Sequence, residues 1–321
     1  MYTLIVVDYN ALEKTIDYVC AAYGRLGPEG AGHTVIIENG NPTGTLEKMS
    51  ARFGQYETVR LNGVGLDVYH FHKDGQQVCY CNSCENLGYA KGNNLGVAVA
   101  SAMWNDPYYI ISNNDLVFCE SFDLNAVTAR FECDPQIGAI GPRIQTPTGL
   151  LQSPRCWQSP FRRLFVTYWM LALGSVLPQG LHKKLWNRFC DDTQKNPQNG
   201  PCHWLMGCFF FIKREAFAQA GGFDPNTFLY AEEMIFSRRL EKAGFYSYYC
   251  DDIVIIHSHG QTTKTAMSQI KMVELDFNSN CYYYQTYEHT PKAVLLLAKW
   301  NFAMYKALFL GWQKMKMLRR A

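Results

Sequence analysis

Strand and helix signals alternate through the first 140 residues, and that alternation predicts an α/β fold with a mostly parallel central sheet flanked by helices. A second observation agrees. The polar clusters Asp8-Tyr9-Asn10, Glu38-Asn39, Asn82 to Asn93 and Asn113 to Asp115 all fall at the ends of predicted strands, where ligands of parallel sheets bind. A third is the basic, apolar character of residues 292–321, which predicts a C-terminal helical extension. With 321 residues, 48% of them apolar and 18% charged, the chain can bury a large core.

Each element has its own signal. "TLIVV" reads as a buried strand, and behind it Leu12, Ile16, Val19, Cys20 and Tyr23 recur at helical spacing, with Gly24 as a stop. "TVIIE" is a second strand, closed by the turn-rich "NGNPTG". "LDVYHFH" and "QVCYCN" flank the polar "KDGQ" as the arms of a hairpin. "NNLGVAVASAMW" is a small-residue helix, and "YYIIS" is the next strand. Further on, "IGAIGPRI" and "CFFFI" are buried-strand candidates, and "REAFAQAGG" is a short helix ended by glycines. "NTFLYAEEMIFSRRLEKAG" has the spacing of an amphipathic helix, and "YSYYCDDIVIIHSHGQTT" runs from strand into polar loop.

Composition and missing motifs exclude several functions. A formal net charge of +2 argues against nucleic acid as a partner. No G-x-x-x-x-G-K-[ST] occurs, so this is not a P-loop enzyme, and "NGVGLD" lacks the third glycine of a dinucleotide-binding turn. The start "MYTLIVVDYN" is already in strand pattern and shows no secretory signal, so the twelve cysteines are expected to be reduced, mostly as small buried hydrophobes. Cys79, Cys81 and Cys84 cluster, but no fourth ligand lies at zinc-ribbon spacing.

In "YYIISNNDLVF" an apolar strand stops at two amides and a carboxylate. A turn alone would account for those residue types. A turn does not account for their convergence with the other polar strand ends.

Taken in order, "VVDYN", "VIIENGNPTG", "ENLGYAKGNNLG", "IISNNDLVF", "IGPRIQTPTGLLQ", "GGFDPNTFLYAEEMIFSRRLEKAG" and "IIHSHGQTT" make the chain resemble the family 2 glycosyltransferases, in particular the rhamnosyltransferase-like branch. The resemblance runs from about Tyr2 to Thr263. It implies the GT-A fold, a Rossmann-like sheet that binds a nucleotide-diphosphate sugar together with Mg²⁺ or Mn²⁺. By analogy Asp115 ligates the cation, Asn113 stands where many members carry a first Asp, and Asn114 lies between them. Asp8, Tyr9, Asn10 and Glu38 would border the donor, with Glu38 on the base; the alternative for Glu38 is a solvated strand end. Asn86, Gly88, Lys91 and Asn93 match the nucleotide-side loop. His257, with Gly260 and Thr262, matches H-x-x-G-x-[ST] and would face the metal or diphosphate. Trp204 and Met206 would line the acceptor side. The resemblance implies an inverting reaction whose base is Glu233, with Glu232 as the alternative. Family members usually carry Glu-Asp at this pair and a further Asp at the position of Ile235, so the acidic motif is altered here.

Two segments are basic and free of acids, one with six Lys or Arg between Arg155 and Cys190 and one with seven from Lys292 to Ala321. Lys292, Lys299 and Lys306 recur every seven residues, which would put a cationic stripe beside a wide apolar face. That pattern suits a helix lying in the interface of an anionic membrane. The alternative is a helix packed on the catalytic domain or on a partner in a homodimer. The expected organisation is a catalytic domain over 1–263 and a membrane-associating or packing segment over 264–321. The former comprises a nucleotide-sugar half (1–115) and an acceptor half (116–263) with a basic insert at about 155–195.

The function expected is transfer of a sugar from a UDP- or dTDP-sugar to a hydroxyl of a glycan or polyprenol-linked glycan, in cell-surface polysaccharide biosynthesis at the cytoplasmic face of the membrane. The rival is a catalytically weak GT-A protein that binds nucleotide sugars or assembles a complex. A sugar nucleotidyltransferase would need a Gly- and Arg-rich signature after the first strand, and "VVDYNALEKTIDY" does not offer it.

Overall fold

The structure is a computed structural model that describes residues 1–40, 45–119, 123–174, 176–258 and 269–318. The chain divides into two compact units, one formed by Met1–Arg155 and Thr193–Ala266, the other by Cys156–Asp192 and Met267–Ala321.

The first unit is built on an eleven-stranded sheet. In chain order it holds β1 (Tyr2–Asp8), α1 (Leu12–Ala31), β2 (His33–Glu38), α2 (Thr45–Phe53), β3 (Tyr56–Arg60), β4 (Asp67–Lys73), β5 (Gln76–Asn82), α3 (Gly88–Met103), β6 (Tyr108–Ser112), β7 (Leu116–Phe118), α4 (Leu124–Cys133) and β8 (Ile137–Gln145). The strands are ordered β3-β4-β5-β2-β1-β6, then, from the later part of the chain, β10 (Phe209–Lys213), β8, β11 (Tyr246–His257) and β7, with β9 (Gly200–Cys202) also paired to β11. The centre, β5-β2-β1-β6, is parallel as the strand–helix alternation predicts. β10 inserts antiparallel between β6 and β8, and β8 and β11 are again parallel. Antiparallel strands finish both edges. The expected halves therefore share one continuous sheet.

Both faces are buried, as a helix-covered sheet requires. Along β1, Tyr2, Leu4 and Val6 point into a core with Val19, Ala22 and Phe131, while Ile5 points into the opposite core with Val97, Phe210 and Phe236. Gly96 explains how closely α3 lies on β1, since a Cβ there would stand 2.4 Å from Ile5 Cγ2. The predicted hairpin turn is present: Asp74 and Gly75 both have positive φ, as a two-residue type I′ loop needs.

Two boundaries differ from expectation. Helix α1 runs through Gly24 and breaks instead at Gly27 (φ 67), beside Pro28, before resuming to Ala31. The helix expected over "NTFLYAEEMIFSRRLEKAG" is confined to α8 (Glu232–Lys242), preceded by α7 (Arg214–Gln219). Tyr230 (φ 72) and Ala231 (φ 64) are left-handed and stop it from extending backward.

The second unit joins the two basic segments that the sequence presents separately. A π turn (Arg162–Val166) leads into α5 (Thr167–Leu173) and then α6 (Gln179–Phe189), and the unit is completed by α9 (Gln269–Thr286) and α10 (Lys292–Leu318). Arg163 is partly buried against Asp276 at 3.1 Å and donates to Asn280 at 3.0 Å, while Tyr168 donates to Asp276 at 2.9 Å. Phe277 stacks on Phe302 at 4.0 Å, and Trp169 Nε1 donates to Asn301. Arg163 of the insert thus has an acidic partner on α9, outside its own stretch of sequence.

Candidate active site

The carboxyl ends of the central strands form a polar row. Asp8 pairs with Glu38, and Glu38 with Asn82, in register across β1, β2 and β5. Asp8 is fully buried and accepts from Ala11 N at 3.1 Å and from Thr15 Oγ1 and Asn114 Nδ2 at 2.5 and 3.2 Å. Burial pushes its carboxyl pKa up. It braces the strand ends and the start of α1, and Asn114 ties β6 to β1 in the same network. Glu38 is also buried, which removes the solvated-end alternative. It accepts a short hydrogen bond from Tyr80 Oη, and desolvation raises its pKa. Tyr9 is half-buried, and Asn10 is exposed with left-handed backbone (φ 55).

The loop after β5 is held by Asn39, a residue with no role assigned from the sequence. Its Oδ1 accepts from Leu87 N at 2.7 Å, and its Nδ2 donates to Asn86 Oδ1 at 3.2 Å and Gly88 O at 3.1 Å. Asn86 Oδ1 in turn accepts from Gly88 N. Gly88 (φ 78) faces a close backbone approach from the chain itself: a Cβ there would lie 2.2 Å from Phe228 O. Asn93 is buried and donates to Tyr89 O, and its Oδ1 has no partner among the described residues. Lys91 is exposed.

The motif "YYIISNNDLVF" ends beside β11. Asp115 Oδ1 and His257 Nε2 lie 3.4 Å apart, with 12% and 7% of their side chains exposed. Residues 142 positions apart in sequence are thereby adjacent, as both metal-ligand assignments require. His257 Nδ1 bonds Gln152 Oε1 at 3.0 Å. With the amide oxygen accepting, Nδ1 carries the hydrogen and Nε2 is turned on the carboxylate. Two donor atoms 3.4 Å apart are close to the edge of about 3 Å expected around an Mg²⁺ or Mn²⁺ held at roughly 2.1 Å, so the pair fits a hard divalent cation. Gly260 and Thr262 lie outside the described residues.

The acid pair closes on the same place. Glu233 Oε1 accepts from Gly207 N at 3.1 Å, and Tyr89 donates to Gly207 O. The neighbouring Cys208 accepts from Asn113 N at its carbonyl, 2.8 Å away. Burial raises the Cys208 thiol pKa well above its usual value, and the carboxylates of Asp115 and Glu233 raise it further. Both acids therefore act electrostatically on one buried sulfur. Glu232 is the more buried of the pair. Ile235, where the family resemblance leads to an acid, is fully buried in the core.

Trp204 is buried and Met206 half-buried on the approach to β10. Arg155 exchanges backbone hydrogen bonds with Trp204, lies 5.7 Å from its ring centroid, and reaches Met206 Sδ at 4.0 Å. Its charge also acts on Cys208. Sequence reasoning counted Arg155 with the basic insert, whereas the structure puts it against Trp204 and Met206. Gln152 and Arg155 were missed, although Gln152 closes the quoted motif "IGPRIQTPTGLLQ".

A search against protein-family models finds no match. Among curated proteins the chain is 26% identical over 244 residues to an N-acetylglucosaminyl-diphospho-decaprenol L-rhamnosyltransferase of Mycobacterium tuberculosis, found in two strains, covering 71% of this chain and 67% of the relative. Among solved structures it matches GalNAc-T7 with UDP, GalNAc and Mn²⁺ at a TM-score of 0.55 and 12% identity, over 90% of this chain and 49% of that one. The chain is thus similar in sequence to a rhamnosyltransferase and has the GT-A fold. The chain spans about half the length of the GalNAc-T7 chain it matches. A mannosyltransferase from Pyrobaculum calidifontis, solved with GDP-Man and Mn²⁺, also matches at 13% identity and a TM-score of 0.49, over 99% of this chain and 80% of that one.

Proposed function

We propose that the chain is an inverting glycosyltransferase moving a sugar from a UDP- or dTDP-sugar to a hydroxyl of a glycan or lipid-linked glycan in cell-surface polysaccharide biosynthesis. The observation that carries this reading is that adjacent residues hold both motifs: Gly207 N donates to Glu233, and Cys208 O accepts from Asn113 N, two residues before Asp115. Glu233 takes the acceptor proton, its carboxylate fixed by the Gly207 N–H. Glu232, more deeply buried, supports the helix start. Asp115 and His257 hold Mg²⁺ or Mn²⁺, with Gln152 orienting the imidazole. A cation bound there would neutralise charge on the departing diphosphate. Tyr9, Asn10, Lys91, Asn93 and Asn113 serve the donor, with Asp8, Glu38, Asn86, Gly88 and Asn114 bracing the strand ends and loop around it. Trp204, Met206 and Arg155 border the acceptor.

The curated relative is named for L-rhamnosyl transfer to a decaprenol-linked sugar, and GalNAc-T7 was solved with Mn²⁺ and UDP, which supports a lipid-linked acceptor and a divalent metal here. Helix α10 supports a position peripheral to the cytoplasmic face of a membrane: Leu296, Leu297, Trp300, Met304 and Leu308 are exposed on it. Its stretch Lys292–Trp312 is also long and apolar enough, by length and composition, to cross a bilayer.

The test is transfer and donor hydrolysis across a panel of nucleotide sugars with Mn²⁺, for the wild type and for Glu233→Gln. Transfer by the variant should fall about 10²- to 10⁴-fold while donor binding persists. A flat response across the panel overturns the enzymatic reading. That outcome would favour the second reading, a weakly catalytic nucleotide-sugar-binding or complex-assembling protein, for which the buried Ile235 in place of an acid is the supporting observation.

A further inference from the structure

The antiparallel edge of the sheet opposite β11 and β7 carries a second group of ligand-type side chains. Glu57 on β3 is paired in register with His70 on β4, and His72 follows two residues later, so all three project from one face of the hairpin. The sequence gives no spacing motif for them, because the acid comes from the neighbouring strand.

We propose that Glu57, His70 and His72 form a binding site for a zinc-class divalent ion, distinct from the Asp115–His257 pair. The geometry carries this. His70 Nδ1 lies 3.2 Å from Glu57 Oε1 and 3.2 Å from His72 Nε2, and the last two are 4.0 Å apart. A point equidistant from the corners of that triangle lies about 2.05 Å from each, and Zn–N and Zn–O bonds are about 2.0–2.2 Å long. Among the described residues this is the group of three or more His, Cys, Asp or Glu whose ligand atoms all approach within 4.8 Å.

The surroundings suit the role. His70 is buried, stacked at an angle on His72 with ring centroids 4.0 Å apart and set edge-on to Trp104 at 6.0 Å. Its ring is fixed by packing, and burial lowers its pKa, which keeps the imidazole neutral. The side chains of Glu57 and His72 are 67% and 57% exposed, so the ion has a path in from solvent. Two imidazoles and one carboxylate favour Zn²⁺, Ni²⁺ or Cu²⁺ over Mg²⁺, and three protein ligands leave a position for water. A bound ion would also pin the edge strand β3 to β4.

The experiment titrates the metal-stripped full-length chain with Zn²⁺ by calorimetry, with circular dichroism to check that each variant is folded. Wild type and Asp115→Asn should each bind one equivalent at this site with equal affinity. His72→Ala and Glu57→Gln, both at exposed positions, should each weaken that binding by about tenfold or more. Zn²⁺ should raise the melting temperature of the wild type and leave that of His72→Ala unchanged. No saturable binding by the wild type, or affinity preserved in either His72→Ala or Glu57→Gln, overturns the proposal. Because the readout is Zn²⁺ binding and not sugar transfer, the result stands apart from the proposed activity.

Discussion

Glu233 depends on a backbone amide for its position, and so on a glycine. A Cβ at residue 207 would fall 2.6 Å from Glu233 Oε1. In Gly207→Ala the carboxylate must swing away, and displacement of a reacting group by about an ångström costs on the order of 10²-fold in rate. Sugar transfer should fall by that factor with the urea midpoint nearly unchanged; full activity would remove Glu233 from the role given to it. Glu38 offers a test by pH. Its pKa is raised by burial, so its contribution to stability is fully present below the ordinary glutamate value of 4.5 and is lost as pH rises through the raised folded-state value. Urea midpoints of the wild type should decline across that window, and Glu38→Gln should flatten the decline. At this scale Asp115, His257 and Glu233 could be singled out as candidates because each arrives inside a recognisable motif. Gln152, Gly207 and Arg155 were not. Gln152 meets His257 across 105 residues and Gly207 meets Glu233 across 26, and no local pattern reports such a meeting.

Among the elements, the central strands and α3 were readable from apolar runs and small-residue spacing. Boundaries set by tertiary contact were not. Gly24 looks like a helix stop, yet the break comes at Gly27, and α8 starts late because Tyr230 and Ala231 turn left-handed before it. Those two residues hold an unfavourable backbone of about 1–2 kcal/mol each, which only the surrounding loop can impose. The loop at 224–231 is also what makes Gly88 indispensable. In Gly88→Ala a Cβ would meet Phe228 O at 2.2 Å on a backbone with φ 78. The variant should lose about 1–3 kcal/mol of stability in urea, and loss of the Tyr89–Gly207 tether should weaken transfer as well. A stable, active variant would show that α3 can part from the loop without consequence.

For the whole molecule, the fold class was legible and the grouping of the two basic segments was not. Their charge suggested two separate membrane-facing stretches, but Arg163 is spent on Asp276, and Lys306 pairs with Glu274 at 2.8 Å. The interior of the second unit takes Leu295, Ala298, Phe302 and Tyr305, which leaves a different apolar ridge of α10 facing outward. Leu296 and Trp300 on that ridge are 61% and 72% exposed. Replacing both with Glu should leave the circular dichroism spectrum intact and reduce binding to anionic vesicles by about two orders of magnitude, from the apolar burial forgone. Unchanged vesicle binding would take the ridge out of the account. The same ridge bears on practical handling. In plain buffer, with neither lipid nor detergent at hand, the cheapest shelter for such oily residues is another molecule of the same kind. Turbidity that grows with protein concentration and clears on adding a mild surfactant is therefore the behaviour to expect at the bench.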